Sequence, residues 1–454
     1  MTVPKTTPFP HQAKELVEHG RDKCRALWWG CGTGKTKTVI DTAWMLYEQG
    51  EIDSLFVLAP NGVHRGWMLD GLEQHMPDSI PYVAHVWYSD MASTKAHQRS
   101  FEAVANAKGK LAVVCMTYDA IMTERGHKAA AKMLKERKCL YVLDEATRVK
   151  NPGAKRSKRI MASAKYADYR RLLTGTPLSN SPFDCYTLCK FIEDDVWARH
   201  GIRNFTAFKS FFGIWQSCTT SEGRTFPNCV AYRNLDILKD TLSRLGTRYL
   251  KENVVDLPAK LYSKRYVEIT KEQARLYRDL REEYMTFLES GEVVTAPLAI
   301  VRMTRLQQVL CGYLPGDGDE DGKVQPIPGK NPRLSALLED IEELDHQEII
   351  WCRFKMDCRL ICEALDGRGI VVNGDVTGED RDRALDAFKS GKHQFLIATP
   401  SSIGEGHNLV MAKTARYYSN SFVLDHRLQS EDRIHRIGQD TSVEIIDYVC
   451  AGTM

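Results

Sequence analysis

The feature that most limits how this 454-residue chain can fold is a junction close to its start. The apolar Ala26-Leu27-Trp28 runs into Trp29-Gly30-Cys31-Gly32-Thr33-Gly34-Lys35-Thr36, and a helix-patterned stretch, residues 36–48, follows at once. A buried strand that turns through glycines into a helix sends that helix back over a sheet, which places the next strand parallel to the first. Glycines at such a turn let backbone N–H groups point inward and cradle phosphate oxygens without a side-chain clash. The helix opening at Lys35 directs the positive end of its dipole at the same anion. In this pattern Gly32, Thr33 and Gly34 form the cradle, Lys35 reaches the β and γ phosphates, and the Thr36 hydroxyl ligates Mg²⁺. Trp29 stands where the general pattern has glycine, and a plain glycine-rich turn is the competing reading.

The rest of the chain repeats the alternation. Short apolar runs at 55–59, 111–115, 141–143 and 171–173 read as buried strands, with helical stretches such as 36–48 and 93–107 between them. The rhythm returns at 348–352, 369–372, 395–398 and 443–449, with a helix at 380–389. The expected fold class is therefore α/β, with two tandem parallel-sheet lobes. Between them, residues 183–343 break the alternation and carry helical stretches at 205–212, 235–245 and 271–288. Pro315-Gly316-Asp317-Gly318-Asp319-Glu320-Asp321-Gly322 reads as an acidic hairpin tip. Its acidic spacing also matches the start of a calcium loop, but Pro328 occupies the position that needs a bidentate Glu.

In Tyr141-Val142-Leu143-Asp144-Glu145 two carboxylates close a buried strand. A Mg²⁺-holding Asp and a water-orienting base belong at that place in a phosphate-transfer site, while an isolated acidic pair reads equally as a solvated turn. Composition excludes other classes. Hydrophobic residues at 43% and charged residues at 27% describe an ordinary globular chain rather than a disordered one. No run approaches the ~20 apolar residues of a membrane span, and the first residues lack the apolar core of a signal peptide. Thirteen cysteines without a repeated short spacing point to free thiols in a reducing compartment. Cys185, Cys189, Cys218 and Cys229 form no C-x₂-C pair, which argues against zinc. Net charge is only +3, yet residues 148–171 hold nine basic side chains against the single acid Asp168. Such a segment is either a polyanion contact or a solvated helix face.

In order along the chain, these motifs resemble those of superfamily 2 helicase-type ATPases, in particular the Swi/Snf-type double-stranded DNA translocases. Pro10-His11-Gln12 is similar to the adenine-reading Gln motif, Ala59-Pro60 with Trp67 to motif Ia, and Thr117-Tyr118-Asp119 to the next DNA-facing segment. Asp144-Glu145-Ala146-Thr147 resembles the acidic motif, with Thr147 in place of its His and Lys150-Asn151 following. Leu173-Thr174-Gly175-Thr176-Pro177-Leu178-Ser179-Asn180 resembles motif III. Arg248-Tyr249-Leu250-Lys251, Leu257-Pro258-Ala259-Lys260, Gln273 and Tyr277 resemble the bridge between lobes. Gly404-Glu405-Gly406-His407-Asn408-Leu409 resembles motif V, and Gln429, Arg433, Arg436, Ile437, Gly438 and Gln439 have the spacing of motif VI.

The resemblance implies two RecA-like lobes, 1–253 with a first helical protrusion and 254–454 with a second at about 265–330, and ATP with Mg²⁺ as cofactors. Catalysis falls to Lys35, Asp144, Glu145, Arg433 and Arg436, the two arginines acting on the γ-phosphate when the lobes close. Gln12, Gly32, Thr33, Gly34, Lys35, Thr36, Gly404 and Gly406 bind the nucleotide, with Thr36 and Asp144 on Mg²⁺. Trp67, Thr117, Thr174, Thr176, Lys150, Arg156, Lys158, Asn408 and Gln429 contact DNA or couple to it. The implied partner is double-stranded or branched DNA, with no membrane, for a monomeric motor that displaces proteins or drives branch migration. No chromatin-reading module is visible, so a minimal bacterial or viral form is expected. It would be cytoplasmic in a bacterial or infected cell and nuclear in a eukaryote. The chain stops at Gly452-Thr453-Met454, where the family continues into a short closing helix. A strand-separating DNA or RNA helicase and a non-hydrolysing DNA-binding scaffold are the alternatives.

Overall fold

The structure, a computed structural model, describes residues 2–61, 63–179, 181–219, 225–289, 296–314, 325–376, 378–403 and 407–453. It divides into two units. The first holds residues 1–216, 229–256 and 404–407; the second holds 217–228, 257–403 and 408–454.

Six strands of the first unit follow in chain order: β1 (Cys24–Leu27), β2 (Ser54–Ala59), β3 (Tyr82–Val86), β4 (Leu111–Thr117), β5 (Cys139–Asp144) and β6 (Tyr169–Leu173). A two-stranded sheet of β7 (Gly213–Thr219) and β8 (Thr225–Tyr232) precedes the two-residue β9 (Gly246–Thr247). The main sheet has the order β3-β4-β2-β5-β6-β1-β9, and its strand pairs are parallel. Alternate side chains point to opposite faces. Ala26, Phe56, Val114, Tyr141 and Leu172 therefore enter one core, and Leu27, Val57, Val113, Val142 and Leu173 enter the other. Both faces are buried, which is why these strands read as continuous apolar runs.

The second unit is built on β10 (Lys260–Val267), the short antiparallel pair β11 (Tyr313–Leu314) and β12 (Gln325–Pro326), then β13 (Glu348–Trp351), β14 (Gly369–Val372), β15 (Phe395–Ala398), β16 (Thr414–Tyr417) and β17 (Val443–Cys450). Its main sheet has the order β10-β17-β16-β13-β15-β14, again with parallel pairs. The α/β class with two parallel sheets is as expected from the alternation.

The middle of the chain departs from its helical reading. Helices span Phe205–Phe212, Leu235–Leu245 and Lys271–Glu289, but β7 and β8 stand between the first two. Most of their residues are exposed, so neither face demanded the apolar–polar alternation by which a strand is recognised. Residues 315–322, read as an acidic hairpin tip, lie outside the described residues, as do the acidic positions matched to a calcium loop. All thirteen cysteines are free; Cys185 and Cys189 share the buried face of one helix, Cys185–Ile192. No helix among the described residues is long and apolar enough to cross a membrane.

Candidate nucleotide site

The parallel register sets Leu27 beside Leu173, and Leu173 beside Asp144. Three carboxyl ends, those of β1, β6 and β5, therefore finish level, and the chain leaves each of them at one edge of the sheet. Ligands of open parallel sheets bind at that edge.

After β1 the buried Trp28 and Trp29 lead into the loop. Gly32 (φ 74°) and Gly34 (φ 82°) take left-handed backbone, which glycine adopts without a Cβ penalty. The helix Lys35–Glu48 opens directly after Gly34, leaving N-terminal amide donors to face a ligand. Lys35 is buried. Its ammonium donates to the carbonyls of Trp29 (3.0 Å) and Gly30 (3.1 Å) and stands 3.8 Å from Glu145 Oε1. Thr33 Oγ1 donates to Gly30 O at 2.9 Å, and Thr36 is half-buried at the head of the helix.

His11 Nε2 lies 2.9 Å from Thr33 O, and Gln12 Nε2 donates to Thr33 O and Gly34 O at 3.4 and 3.2 Å. Gln12 Oε1 accepts from Phe9 N–H at 2.9 Å. Both side chains thus brace the loop from behind. Burial lowers the His11 pKa, which keeps its ring neutral.

Asp144 is 4% exposed. Its Oδ2 accepts from Trp67 Nε1 at 2.8 Å, its Oδ1 from the Glu145 amide at 3.0 Å, and its carbonyl from Tyr118 Oη at 2.7 Å. Burial, and then the Glu145 charge, pushes its pKa up to about 6, against the opposing pull of Lys35 and the Trp67 hydrogen bond. Glu145 itself holds φ 47°, left-handed backbone that a non-glycine residue adopts at a cost. The exit of β6 packs onto the loop: Thr174 N–H donates to Leu27 O at 3.2 Å, and a Cβ on Gly175 would lie 3.1 Å from Trp29 O. Thr174 is fully buried, and its Oγ1 accepts from the Thr176 amide.

The residues assigned to DNA fall into different environments. Trp67 is 1% exposed, and its N–H serves Asp144. Thr117 Oγ1 caps the turn at Ala120. Lys150 pairs with Asp184 at 3.3 Å and Arg156 pairs with Asp119, while Lys158 is exposed on the helix Lys155–Ala164. The basic run is divided. Arg171 is buried on the carbonyls of Gly20 and Arg170, and Arg159 holds those of Ile121 and Met122. Arg148, Lys155, Lys158 and Lys165 remain exposed.

In the second unit Arg433 is buried and its carbonyl accepts from the Leu409 amide; Arg436 and Gln429 are half-buried and Asn408 is exposed. Glu431 accepts from Lys260, Tyr262 and Arg427. Gly404 and Gly406 lie outside the described residues, as does Asn180.

Sequence reasoning missed the inward roles of Trp67 and Tyr118, 77 and 26 positions from Asp144. It also missed how closely residues 246–251 approach the loop. The clue for the latter was the basic-aromatic Arg248-Tyr249-Leu250-Lys251.

Residues 30–312 match the family model of the SNF2-related domain, and residues 329–438 match the helicase conserved C-terminal domain. The chain is 25% identical over 430 residues to a probable chromatin-remodeling complex ATPase chain of Oryza sativa subsp. japonica, covering 92% of this chain and 36% of that one. It is 26% identical over 454 residues to chromodomain-helicase-DNA-binding protein 8 of Xenopus tropicalis, covering 91% and 19%. The chain thus spans about a third or less of the length of these curated relatives. Among solved structures it is similar to a Sulfolobus solfataricus SWI2/SNF2 ATPase core in complex with dsDNA, at 20% identity and TM-score 0.43, covering 99% of this chain and 89% of that one. With more than half of its residues matched by the first of those two domain models, the chain belongs to the SNF2-related family of helicase-type ATPases.

Proposed function

We propose that this chain hydrolyses ATP and uses the cycle to move along duplex DNA, displacing bound proteins or driving branched DNA. The observation that carries the reading is the convergence of Lys35, Asp144 and Glu145 at the level ends of β1 and β5, with Lys35 Nζ 3.8 Å from Glu145 Oε1. The residues present fit a magnesium nucleotide. The glycine loop offers amides to phosphate, and a partly protonatable carboxylate with the Thr36 hydroxyl offers hard oxygen ligands. Bound Mg²⁺ would supply charge neutralisation at the phosphates.

Lys35 exchanges its carbonyl partners for phosphate oxygens. Glu145, held by its left-handed backbone next to Asp144, takes the proton of the attacking water. Arg433 and Arg436 add positive charge at the γ-phosphate as transition-state charge develops. The exposed Arg148, Lys155 and Lys158 supply sequence-independent phosphate contacts. The names of the relatives, a chromatin-remodelling ATPase and a helicase-DNA-binding protein, support DNA as the track.

Steady-state phosphate release with single-stranded, duplex, forked and four-way DNA tests the reading. Duplex should stimulate more than single strands, and the stimulation should fall steeply with salt as phosphate contacts release counterions. Lys35→Ala should lose nucleotide binding. Glu145→Gln and Arg436→Ala should bind ATP and turn over about 10²-fold slower or worse. Equal stimulation by single strands would remove the duplex track, and full turnover by Glu145→Gln would remove the site.

A further inference from the structure

Beside the phosphate loop runs a second segment in one uninterrupted parallel register. Ala26 pairs with Gly246 and Leu27 with Thr247. Past the end of β1 the ladder continues: Trp28 N–H donates to Thr247 O, and Gly30 N–H donates to Tyr249 O, each at 2.9 Å. Two residues further on each side, Lys251 comes opposite Gly32. A Cβ on Gly32 would lie 3.5 Å from Lys251 Cε and 3.8 Å from its ammonium nitrogen, and a Cβ on Gly30 would lie 3.4 Å from the Lys251 amide nitrogen. The approach is fixed by packing as well as by hydrogen bonds. Gly246 lies so close to Ala26 that a Cβ there would fall 2.1 Å from the Ala26 carbonyl oxygen. The Tyr249 ring packs edge-on to Trp29 and His11, at 5.2 and 5.3 Å.

A loop with Lys35 at its helical end therefore has a second ammonium beside Gly32, carried by the segment that follows β9. Lys35 is engaged by Trp29 O, Gly30 O and Glu145, so the two cations occupy distinct places along the loop. Lys251 is half-buried on a four-carbon stem, a compact charge that can swing onto an anion without displacing the backbone. From the nucleotide reading of the loop, on which this step rests, we infer that Lys251 is a second polyphosphate-binding residue, pairing with the phosphates of the nucleotide held by Gly32, Gly34 and Lys35. Its position has a consequence. Lys251 begins the short helix Lys251–Val254, and the second unit starts six residues later at Leu257. Occupancy of the loop thus fixes the first residues of the segment that leads into the second unit.

The test measures binding of a fluorescent ATP analogue and of ADP by anisotropy, with amide hydrogen exchange of residues 246–257, in the full chain. Lys251→Gln keeps most of the stem and removes the charge; Lys251→Arg restores the charge; Lys35→Ala serves as the control for the loop. Losing one charge-assisted contact should weaken binding about 10- to 100-fold in Lys251→Gln, with most of it recovered in Lys251→Arg. Nucleotide should slow exchange across 249–256 in the unsubstituted chain and not in Lys251→Gln. Wild-type affinity and wild-type protection in Lys251→Gln, with binding lost in Lys35→Ala, would overturn the inference and leave the nucleotide reading standing. Unchanged affinity in Lys35→Ala would overturn both.

Discussion

Trp67→Phe is the substitution whose consequence can be worked furthest from the structure. It keeps an aromatic ring in the core and removes the N–H that Asp144 Oδ2 accepts at 2.8 Å. The bond favours the ionised carboxylate, because an N–H bonds a charged oxygen more strongly than a neutral one. A hydrogen bond to a buried charge contributes about 2 kcal/mol, which corresponds to about 1.5 on the pH scale. Asp144 already sits at about 6 through burial and the neighbouring Glu145, so the variant should ionise near 7.5, by the same conversion.

At pH 7 the ionised fraction then falls from about nine-tenths to about a quarter. The assay is kcat/KM for ATP from pH 5 to 9, which reports ionisation in the free enzyme. The acid limb should move up by about 1.5 on the pH scale, with the rates converging above pH 9. Asp144→Asn separates this from general damage, since in that background Trp67→Phe should leave the pH profile flat on the acid side. A folded Trp67→Phe protein whose acid limb stays at the wild-type pH would refute the argument, because the indole would then not be stabilising the charge.

Two further outcomes concern stability. Gly246→Ala forces a Cβ to within 2.1 Å of the Ala26 carbonyl oxygen; separating β9 from β1 should cost about 1–3 kcal/mol in urea unfolding and weaken nucleotide binding by moving Lys251. His85 is buried against His97 (Nε2 to Nε2 3.3 Å), Trp87 and Phe101, and burial lowers its pKa from 6.5 to about 4. The neutral ring adds no pH dependence above 6.5. As pH falls below that value the unfolded chain gains a proton the folded one refuses, so up to about 3 kcal/mol is lost between 6.5 and 4. His85→Gln should flatten that slope in acid unfolding, and an unchanged slope would assign the loss elsewhere.

What could be read from sequence follows from how local each signal is. The runs at 369–372 and 395–398 coincide with β14 and β15, since a strand flanked by turns and buried between helices shows itself in four consecutive apolar residues. The loop at Gly30–Lys35 was legible for the same reason: its chemistry lies in adjacent residues. By contrast β16, Thr414–Tyr417, is fully buried yet carries Arg416, which pairs with the equally buried Glu348 at 2.5 Å. A charge neutralised by a partner 68 positions away looks like surface until the fold is known. The edge strand β10 failed for the opposite reason, because its Lys260, Tyr262, Lys264 and Arg265 bury little. At the site, Asp144 and Glu145 were recognisable from their place at a strand end. Their support by Trp67 and Tyr118, and the approach of Lys251 to Gly32, depend on tertiary contacts that no spacing encodes.

Gln12 shows how such contacts change a residue's expected part. The resemblance makes it a reader of adenine, which needs a donor for one ring nitrogen and an acceptor for the amino group. Its two N–H groups already serve Thr33 O and Gly34 O, and its oxygen takes Phe9 N–H. Only one lone pair remains, enough to accept from an amino group and no more. The loop carbonyls are thereby occupied from behind: Trp29 O and Gly30 O by Lys35, Thr33 O by His11 and Gln12, and Gly34 O by Gln12 and Thr38. Beyond Gly30, whose N–H serves Tyr249 O, the loop amides are left to face the phosphates. Removing Gln12 loosens that sorting before it touches the base. Gln12→Ala should therefore weaken ATP, GTP and inorganic triphosphate by a similar factor, about 5- to 30-fold for the loss of one or two neutral hydrogen bonds. Competition against a fluorescent nucleotide measures all three. If triphosphate binds the variant as well as it binds the wild type while ATP alone weakens, Gln12 reads the base and its hold on Thr33 and Gly34 carries no binding energy.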